Sequence, residues 1–385
     1  MKNLAVVLLL TSLANYSCKS VLPNIFEKKT PHEQYADELD DSGLENTPEG
    51  RQWLDASQKA LEKPQTISLP YSQQGYFHAD KARAMALEFK AKPGQRLIFT
   101  IHKKQAPLTI YADLFQSNGI AATHLLAADT TANSFTLDVE QTGTYIVRLQ
   151  PKLFQSGPYS LSVDIAPSLG FPVQGSKARI GSFWGDARDG GKRKHEGLDI
   201  FAPKRTPVLA AADGYVTGVK EGGIGGKTVW MKPGDKNLYL YYAHLDKQLV
   251  QQGQYVKKGE VIGLVGNTGN ARHTPAHLHF GVYTHNGPID ALPFIDRMGK
   301  KAPDVSSKNL KEYAKLARTF KTNKGVMVKA NSIVIPLAVN AKNYLAELED
   351  GSMIEIPLSH IKSTGRTVTQ NSAVANTQPE RSQKS

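Results

Sequence analysis

Apolar residues alternate with polar ones in several stretches between residues 64 and 166, and this period-two pattern is the strongest constraint on the fold. Side chains of a β-strand alternate between two faces, so each stretch places its apolar residues on one face. Gly and Pro residues separate the stretches, as expected for turns. The alternating stretches are Leu97-Phe99-Ile101, Phe135-Leu137-Val139, Tyr145-Val147-Leu149 and Tyr159-Leu161-Val163-Ile165. We therefore predict an antiparallel β-sandwich over residues 64–166, acting as a spacer or regulatory cover, or binding carbohydrate.

Composition restricts the class of protein and the chemistry of any metal site. The chain has 385 residues, of which 40% are hydrophobic and 21% charged, with a formal net charge of +12 and one cysteine. These fractions fit a soluble globular protein of two or three domains, and they exclude a polytopic membrane protein and a wholly disordered chain. A single cysteine cannot form an internal disulfide or a thiolate metal cluster, so a bound metal needs His, Asp or Glu ligands. The positive charge favours an anionic partner: nucleic acid, acidic lipid or a cell-wall polymer.

Residues 1–17 have the pattern of a signal peptide. A positive residue precedes the apolar run 4–10, which is too short to span a bilayer, and smaller and more polar residues follow. Cys18 comes just after this run and resembles the lipid-modified first residue of a bacterial lipoprotein. The resemblance implies a membrane anchor and a periplasm-facing place on the outer membrane. Asn15 departs from the lipoprotein motif, and the alternative is plain secretion without a lipid.

Three other segments differ in composition from the rest of the chain. Residues 18–63 are rich in acidic residues and poor in large apolar ones, which predicts a solvated tether. In residues 301–363, helical periodicity from Lys308 to Arg318 precedes β-like runs and a hairpin with Asp350-Gly351 at its turn. A small SH3-like barrel and a structural cap both fit this pattern. Residues 364–385 lack aromatics and are polar, so we expect disorder.

Histidines cluster in the centre of the chain. Six of the eleven lie between residues 195 and 285. On a strand, His277 and His279 would face the same side, although such a pair alone is weak evidence for a metal. His195 and Asp199 are four residues apart, and a bend at Gly197 would bring both side chains toward one ion. The pattern predicts a metal site built from histidine and aspartate.

These motifs, taken together, resemble the lysostaphin-type (LytM-like) zinc metallopeptidases that cut peptidoglycan peptides. The similarity covers about 130 of the 385 residues and implies a mainly β chain with a central antiparallel β-sheet peptidase domain over residues 167–300. The matching elements are His195-x-x-x-Asp199, Tyr242-Ala243-His244, Val256 to Gly263, Gly266 to Asn270 and His277-x-His279.

The resemblance also implies roles for five side chains. His195, Asp199 and His279 would hold one Zn²⁺, with a fourth position left for water. His277 would be the general base, while His244 would hydrogen-bond the water or the developing oxyanion; the sequence does not decide this division. The implied reaction is hydrolysis of amide bonds in peptidoglycan cross-links or stem peptides, with peptidoglycan and not nucleic acid as the partner. The alternative is a non-catalytic relative that binds peptidoglycan or activates an amidase.

Residues near these motifs receive simpler interpretations. The basic stretch from Arg179 to Lys194 is either a solvated loop or a cleft lip that attracts carboxylates. His273 and His285 match no ligand or catalytic position, so we expect both at the rim of the site.

Overall fold

The computed structural model describes residues 28–103, 107–234, 236–322 and 325–369. The signal peptide, Cys18 and most of the polar tail lie outside the described residues, so the predictions for them stay predictions. The fold is mainly β, as predicted.

The first nine strands form two facing sheets. One sheet has the order β1-β3-β8-β5-β6, and in the other β2, β9, β4 and β7 are neighbours. The alternating stretches predicted from the sequence lie in β4, β7, β8 and β9, and Leu97, Phe99 and Val163 are fully buried between the sheets. The strands are β1 (Gln65–Thr66), β2 (Tyr71–Phe77), β3 (Met85–Ala91), β4 (Gln95–Lys103), β5 (Ile110–Ser117), β6 (Ala122–Ala127), β7 (Ser134–Asp138), β8 (Gly143–Pro151) and β9 (Gly157–Pro167).

The central part of the chain forms a second, separate core around an eight-stranded sheet. Its order is β10-β13-β21-β17-β16-β15-β19, and β22 pairs with β21. A smaller sheet, β14-β20-β18, packs beside it, and β11 pairs with β12. The elements are β10 (Arg179–Ser182), β11 (Ala187–Arg188), β12 (Arg193–Lys194), β13 (Leu198–Phe201), β14 (Pro207–Leu209), β15 (Gly214–Lys220), β16 (Thr228–Pro233), β17 (Tyr239–Ala243), β18 (Lys247–Gln248), β19 (Tyr255–Val256), β20 (Val261–Leu264), β21 (His277–Thr284), β22 (Gly287–Ile289) and a short helix, Leu292–Ile295.

The C-terminal strands extend the sheet of the sandwich. β26 pairs with β2, and β27 and β28 continue the sheet outward, while β23 joins β26 to β29. The predicted hairpin is confirmed, because β27 and β28 pair in register around the turn at Asp350-Gly351. The SH3-like assignment and the module boundaries stay predictions. The strands are β23 (Glu312–Leu316), β24 (Phe320–Lys321), β25 (Met327–Val328), β26 (Ile333–Val339), β27 (Asn343–Glu347), β28 (Met353–Pro357) and β29 (Ile361–Thr367).

Two predictions for this region are wrong. The stretch from Lys308 to Arg318 contains strand β23 rather than a helix, because Ala314 and Leu316 are buried on one face and the strand pairs on both sides. The pairing of β23 with β29 also keeps residues 364–367 ordered, although we expected disorder from residue 364.

Two helices occupy most of the predicted solvated tether, and this correction concerns residues 31–62. They are α1 (Pro31–Asp41) and α2 (Pro48–Glu62). Each begins with a proline after a threonine, Thr30 or Thr47, whose hydroxyl accepts a hydrogen bond from a first-turn backbone amide. The acidic composition concealed these local start signals. None of the helices in the described part of the chain is long and apolar enough to cross a membrane.

The helix pair packs on the sandwich through a small aromatic core. The indole of Trp53 is 1% exposed, stacks on His32 with ring centroids 4.6 Å apart, and donates a hydrogen bond to the carbonyl of Pro151 at 2.9 Å. A solvated spacer would bury none of these side chains. The buried cluster consists of Tyr35, Leu39, Trp53, Tyr111 and Leu153.

We predict that Trp53→Ala lowers the free energy of unfolding by about 3–5 kcal/mol, because it empties the centre of this cluster. Urea denaturation measures the change. Gln58→Ala, at an exposed position of the same helix, should change the free energy by less than about 0.5 kcal/mol. Equally small effects of both substitutions would mean that the helices are a solvated tether after all.

Candidate metal centre

Strand β21 and its two neighbours bring the five predicted side chains together. His277 and His279 lie on one face of β21, while Leu278 and Phe280 are fully buried on the other. Antiparallel pairing places Asp199 of β13 opposite His279. On the other side, β17 ends one residue before His244. The predicted convergence of these residues is therefore present.

Three atoms that could bind a metal lie close to one another. The Nε2 atom of His195 lies 3.0 Å from Oδ1 of Asp199 and 3.0 Å from Nδ1 of His279. Nδ1 of His279 lies 3.1 Å from the same aspartate oxygen. Within the described residues these three side chains form a group that could hold a metal ion.

The residue before β13, Gly197, makes this approach feasible. The backbone bends at this residue, as predicted. A Cβ here would also lie 2.9 Å from ring atoms of His279 and 2.5 Å from the carbonyl oxygen of Phe280. The glycine therefore leaves room for the imidazole of His279.

The outer contacts of His195 and Asp199 fix which of their atoms face inward. Nδ1 of His195 lies 2.9 Å from the carbonyl oxygen of Phe183, which can only accept a hydrogen bond. Nδ1 therefore carries the hydrogen, and a neutral His195 presents the lone pair of Nε2 to Asp199. Arg188 donates a hydrogen bond to the other aspartate oxygen, Oδ2, at 2.7 Å, which leaves Oδ1 for the centre.

This arrangement fits zinc. Two acceptors that face each other, Nε2 of His195 and Oδ1 of Asp199, repel unless a cation or a proton lies between them. Zinc bonds of about 2.0–2.2 Å in a tetrahedral site separate donor atoms by somewhat more than 3 Å, close to the observed distances. Nitrogen and carboxylate oxygen are both common zinc ligands, and three protein ligands leave one position open.

The pKa of Asp199 favours a charged carboxylate, and the pKa of His279 favours a neutral imidazole. Burial alone would raise the pKa of Asp199, but hydrogen bonds and charge interactions with the protonated forms of His195 and His279 hold it well below its usual range. Burial lowers the pKa of His279. Both protonation states are those that a metal ligand requires.

His277 and His244 border the triad and are held in matching ways. Nδ1 of His277 donates to the carbonyl of Pro275 at 2.9 Å, and Nδ1 of His244 donates to the carbonyl of Thr268 at 2.9 Å. In the neutral forms the free lone pair is therefore on Nε2 of both rings, whose centroids are 5.0 Å apart. Burial, with added repulsion from the two neighbouring histidines, lowers the pKa of His244 to about 4.

The backbone at His244 is unusual for a residue with a side chain. Its φ is 63°, in the left-handed region that costs about 1–2 kcal/mol outside glycine. The backbone amide of His244 donates to the carbonyl of Gly225 at 2.8 Å. The surrounding fold therefore holds the backbone of His244 in a conformation that the residue would rarely adopt alone, and this fixes the position of the ring. Such strain is common at functional sites.

The five side chains line a cleft of about 590 Å³. Glu196 lines it but belongs to no ligand group in the described residues. His273 and His285 are absent from the cleft lining in the described residues, and their place at the rim stays a prediction. Sequence reasoning placed Arg188 in a solvated loop or cleft lip and missed its ion pair with Asp199, because only the tertiary fold brings the two together. It also missed the aromatic lining, Tyr241 and Tyr283.

A sheet that presents two histidines and an aspartate to an open cleft, with two further imidazoles beside them, is typical of a metallopeptidase. The model of Peptidase family M23 matches residues 193–291, so this part of the chain is similar to an M23 domain.

Two named relatives are also similar to part of the chain. The L-Ala--D-Glu endopeptidase of Bacillus subtilis (strain 168) is 41% identical over 114 residues, which are 28% of this chain and 35% of that protein. Peptidoglycan DD-endopeptidase ShyB of Vibrio cholerae is 40% identical over 99 residues, 26% of this chain and 22% of that protein. The chain thus spans about a third or less of the length of these relatives.

A solved structure also matches part of the chain. The catalytic domain of the antimicrobial peptidase lysostaphin from Staphylococcus simulans is 31% identical, with a TM-score of 0.28. The match covers 30% of this chain and 91% of that one.

We predict that Arg188→Met weakens zinc binding about 10–100-fold, because Asp199 loses the donor that orients its carboxylate. Arg188→Lys should restore part of the affinity. Competition with a chromophoric chelator measures the dissociation constant.

The matched control is Lys194→Met, which removes a cation from the same cleft without removing a contact to Asp199. It should leave zinc affinity unchanged or slightly increased, since a nearby positive charge repels the ion. Equal weakening by both substitutions would contradict an orienting role for Arg188.

Proposed function

We propose that this protein is a zinc-dependent endopeptidase that hydrolyses amide bonds in peptidoglycan cross-links or stem peptides. The observation that carries the proposal is the convergence of His195, Asp199 and His279 within about 3 Å of one another, beside two imidazoles with inward-facing Nε2 atoms. The names of the M23 relatives support peptidoglycan as the substrate.

We assign His195, Asp199 and His279 as the ligands of one Zn²⁺. Bound zinc would supply a Lewis acid that polarises the scissile carbonyl and acidifies a water molecule. Arg188 would keep Oδ1 of Asp199 directed at the ion through its hydrogen bond to Oδ2. The hydrogen bond from His195 to the carbonyl of Phe183 would hold the tautomer that leaves Nε2 available.

We assign proton transfer to His277. Its Nδ1 hydrogen is donated to the carbonyl of Pro275, so Nε2 can accept a proton from the attacking water and later deliver it to the leaving amine. Nε2 of a neutral His244 can likewise only accept a hydrogen bond, because Nδ1 donates to the carbonyl of Thr268. Of the two roles considered for His244, this favours orienting the water rather than donating a hydrogen bond to the oxyanion.

The place of action that follows from this substrate is the cell envelope. The predicted signal peptide would export the chain, and a lipid on Cys18 would anchor it to the membrane, facing the wall. The charge of the peptidase region would favour its encounter with the wall, since residues 169–300 contain eighteen Lys and Arg against eleven Asp and Glu. This surplus would attract an acidic polymer, and salt would weaken the attraction.

A non-catalytic relative that binds peptidoglycan or activates an amidase remains the second candidate. Both classes would bind the wall, but a binding protein has no need of the two inward-facing imidazoles beside the triad. Turnover therefore separates the two candidates.

We predict that the zinc-loaded protein releases cleaved muropeptides from purified sacculi and that a chelator stops the release. His279→Ala should lose both zinc and turnover, because it removes a ligand. His277→Ala should keep one zinc per chain and lose turnover by about 10²–10⁴-fold, because it removes the base. Metal analysis and mass spectrometry of the products measure both quantities.

His273→Ala is the control, since this histidine lies outside the cleft lining and should change neither quantity. Intact sacculi under every metal condition would favour the non-catalytic candidate. Equal loss of zinc from the His277 and His279 variants would contradict the division between base and ligand. Mass spectrometry of a defined cross-linked muropeptide would also identify the bond that is cut.

A further inference from the structure

One face of the central sheet carries a continuous group of aromatic side chains beyond the candidate metal centre. Core residues of this sheet, such as Val216, Met231 and Leu240, are at most 1% exposed. Tyr215 and its aromatic neighbours alternate with these core residues along the strands. They therefore lie on the opposite face, which is also the face of His279.

Three of the aromatic residues, Trp230, Tyr241 and Tyr283, form a near cluster beside the triad. The ring centroid of Trp230 lies 4.4 Å from that of Tyr241 and 5.0 Å from that of Tyr283. The ring of Tyr241 meets the imidazole of His279 edge-to-face at 5.9 Å. The near cluster is thus continuous with the candidate catalytic cleft, which Tyr241 and Tyr283 also line.

An outer row continues from the near cluster across four strands. It begins at Tyr239, which pairs with Tyr283, and the ammonium of Lys232 lies 6.0 Å from the Tyr239 ring centroid. Tyr215 lies opposite both Lys232 and Tyr255 in the strand pairing, and the two tyrosine rings meet at 5.1 Å. The outer row is Tyr239, Lys232, Tyr215 and Tyr255.

The tyrosines of the outer row are open to solvent. Tyr239 is 39% exposed, Tyr215 is 56% exposed and Tyr255 is 48% exposed. Single exposed aromatic residues are common on protein surfaces and need no explanation. A row of them that adjoins a catalytic cleft is typical of a binding surface.

We infer that the near cluster and the outer row bind the glycan strand of peptidoglycan while the attached peptide enters the cleft. This inference rests on the proposed function and adds a second contact to the same substrate. The apolar C–H face of a sugar ring packs on the negative face of an aromatic ring, and tyrosine hydroxyls can hydrogen-bond the sugar hydroxyls.

Size and charge agree with a polymeric sugar ligand. Between His279 and Tyr255 the surface extends about 13 Å along the strands and about 19 Å across them, which is longer than one sugar ring. At the far end, Tyr255 and Lys258 line a polar cavity of about 400 Å³. Lys232 of the outer row and Lys258 would attract the carboxylates that accompany the sugars of the wall polymer.

The test is a double substitution at the exposed pair, Tyr215→Ala with Tyr255→Ala. Isothermal titration calorimetry with peptide-free glycan strands should show binding to the wild-type chain and about tenfold weaker binding to the variant. On sacculi the variant should raise KM about tenfold with kcat unchanged. On a sugar-free cross-linked peptide neither constant should change.

Two controls make the comparison specific. Tyr215→Phe with Tyr255→Phe keeps the rings and should retain most of the glycan affinity. Phe154→Ala removes an exposed aromatic residue from the sandwich and should leave glycan binding unchanged. Thermal unfolding checks that each variant is folded.

The outcomes separate this inference from the proposed function. Glycan binding without cleavage would support the inference and contradict the enzyme. Cleavage by a wild-type chain that does not bind peptide-free glycan would overturn the inference alone, even if the double variant failed to fold. An unchanged KM for a folded variant would also overturn it. So would a wild-type dimer that the double substitution dissociates, because the face would then join two copies.

Discussion

The antiparallel pairing of β21 with β13 and β17 is the constraint on which the rest of the site depends. Period-two geometry puts His277 and His279 on one face, and the register on each side decides what lies next to them. A shift of β13 by one residue would turn Asp199 into the core and Ile200 into the cleft. The buried apolar residues of β13, Leu198 and Ile200, oppose that shift because they would become exposed.

The chemistry of the triad depends on the groups that contact its side chains from outside. Backbone carbonyls select the tautomers of His195, His244 and His277, and Arg188 occupies one oxygen of Asp199. These contacts convert a flexible set of side chains into inward-facing donor atoms. A zinc ligand set depends on such outer partners nearly as much as on the ligands themselves.

Local alternation in the sequence was enough to predict the sandwich strands, whereas the five site residues were predicted from the resemblance of their motifs to a known peptidase family. The alternation in β4 and β9 and the spacing of His277 and His279 require no knowledge of distant contacts. Prediction failed where tertiary contacts decide the outcome. Residues 31–62 are acidic overall, yet Trp53 and its neighbours bury an apolar face against the sandwich. Strand β23 looks helical in isolation and is extended because β26 and β29 pair with it.

The ion pair between Arg188 and Asp199 and the aromatic outer row could not be predicted for a related reason. Both join residues from different strands, and their positions depend on a register that only the folded sheet defines. Tyr215 and Tyr255 are forty residues apart in sequence and lie side by side only through the pairing of β15 with β19. Aromatic composition alone gives no indication of a shared face.

Zinc K-edge absorption spectroscopy of the zinc-loaded chain tests the central claim most directly, because it counts the ligands of the ion. We expect one zinc per chain with two imidazoles and one or two oxygen ligands, at about 2.0–2.2 Å. A third imidazole in the first coordination sphere would make His277 or His244 a ligand instead of a catalytic group. That result would contradict the assignment of His195, Asp199 and His279 as the full set of protein ligands.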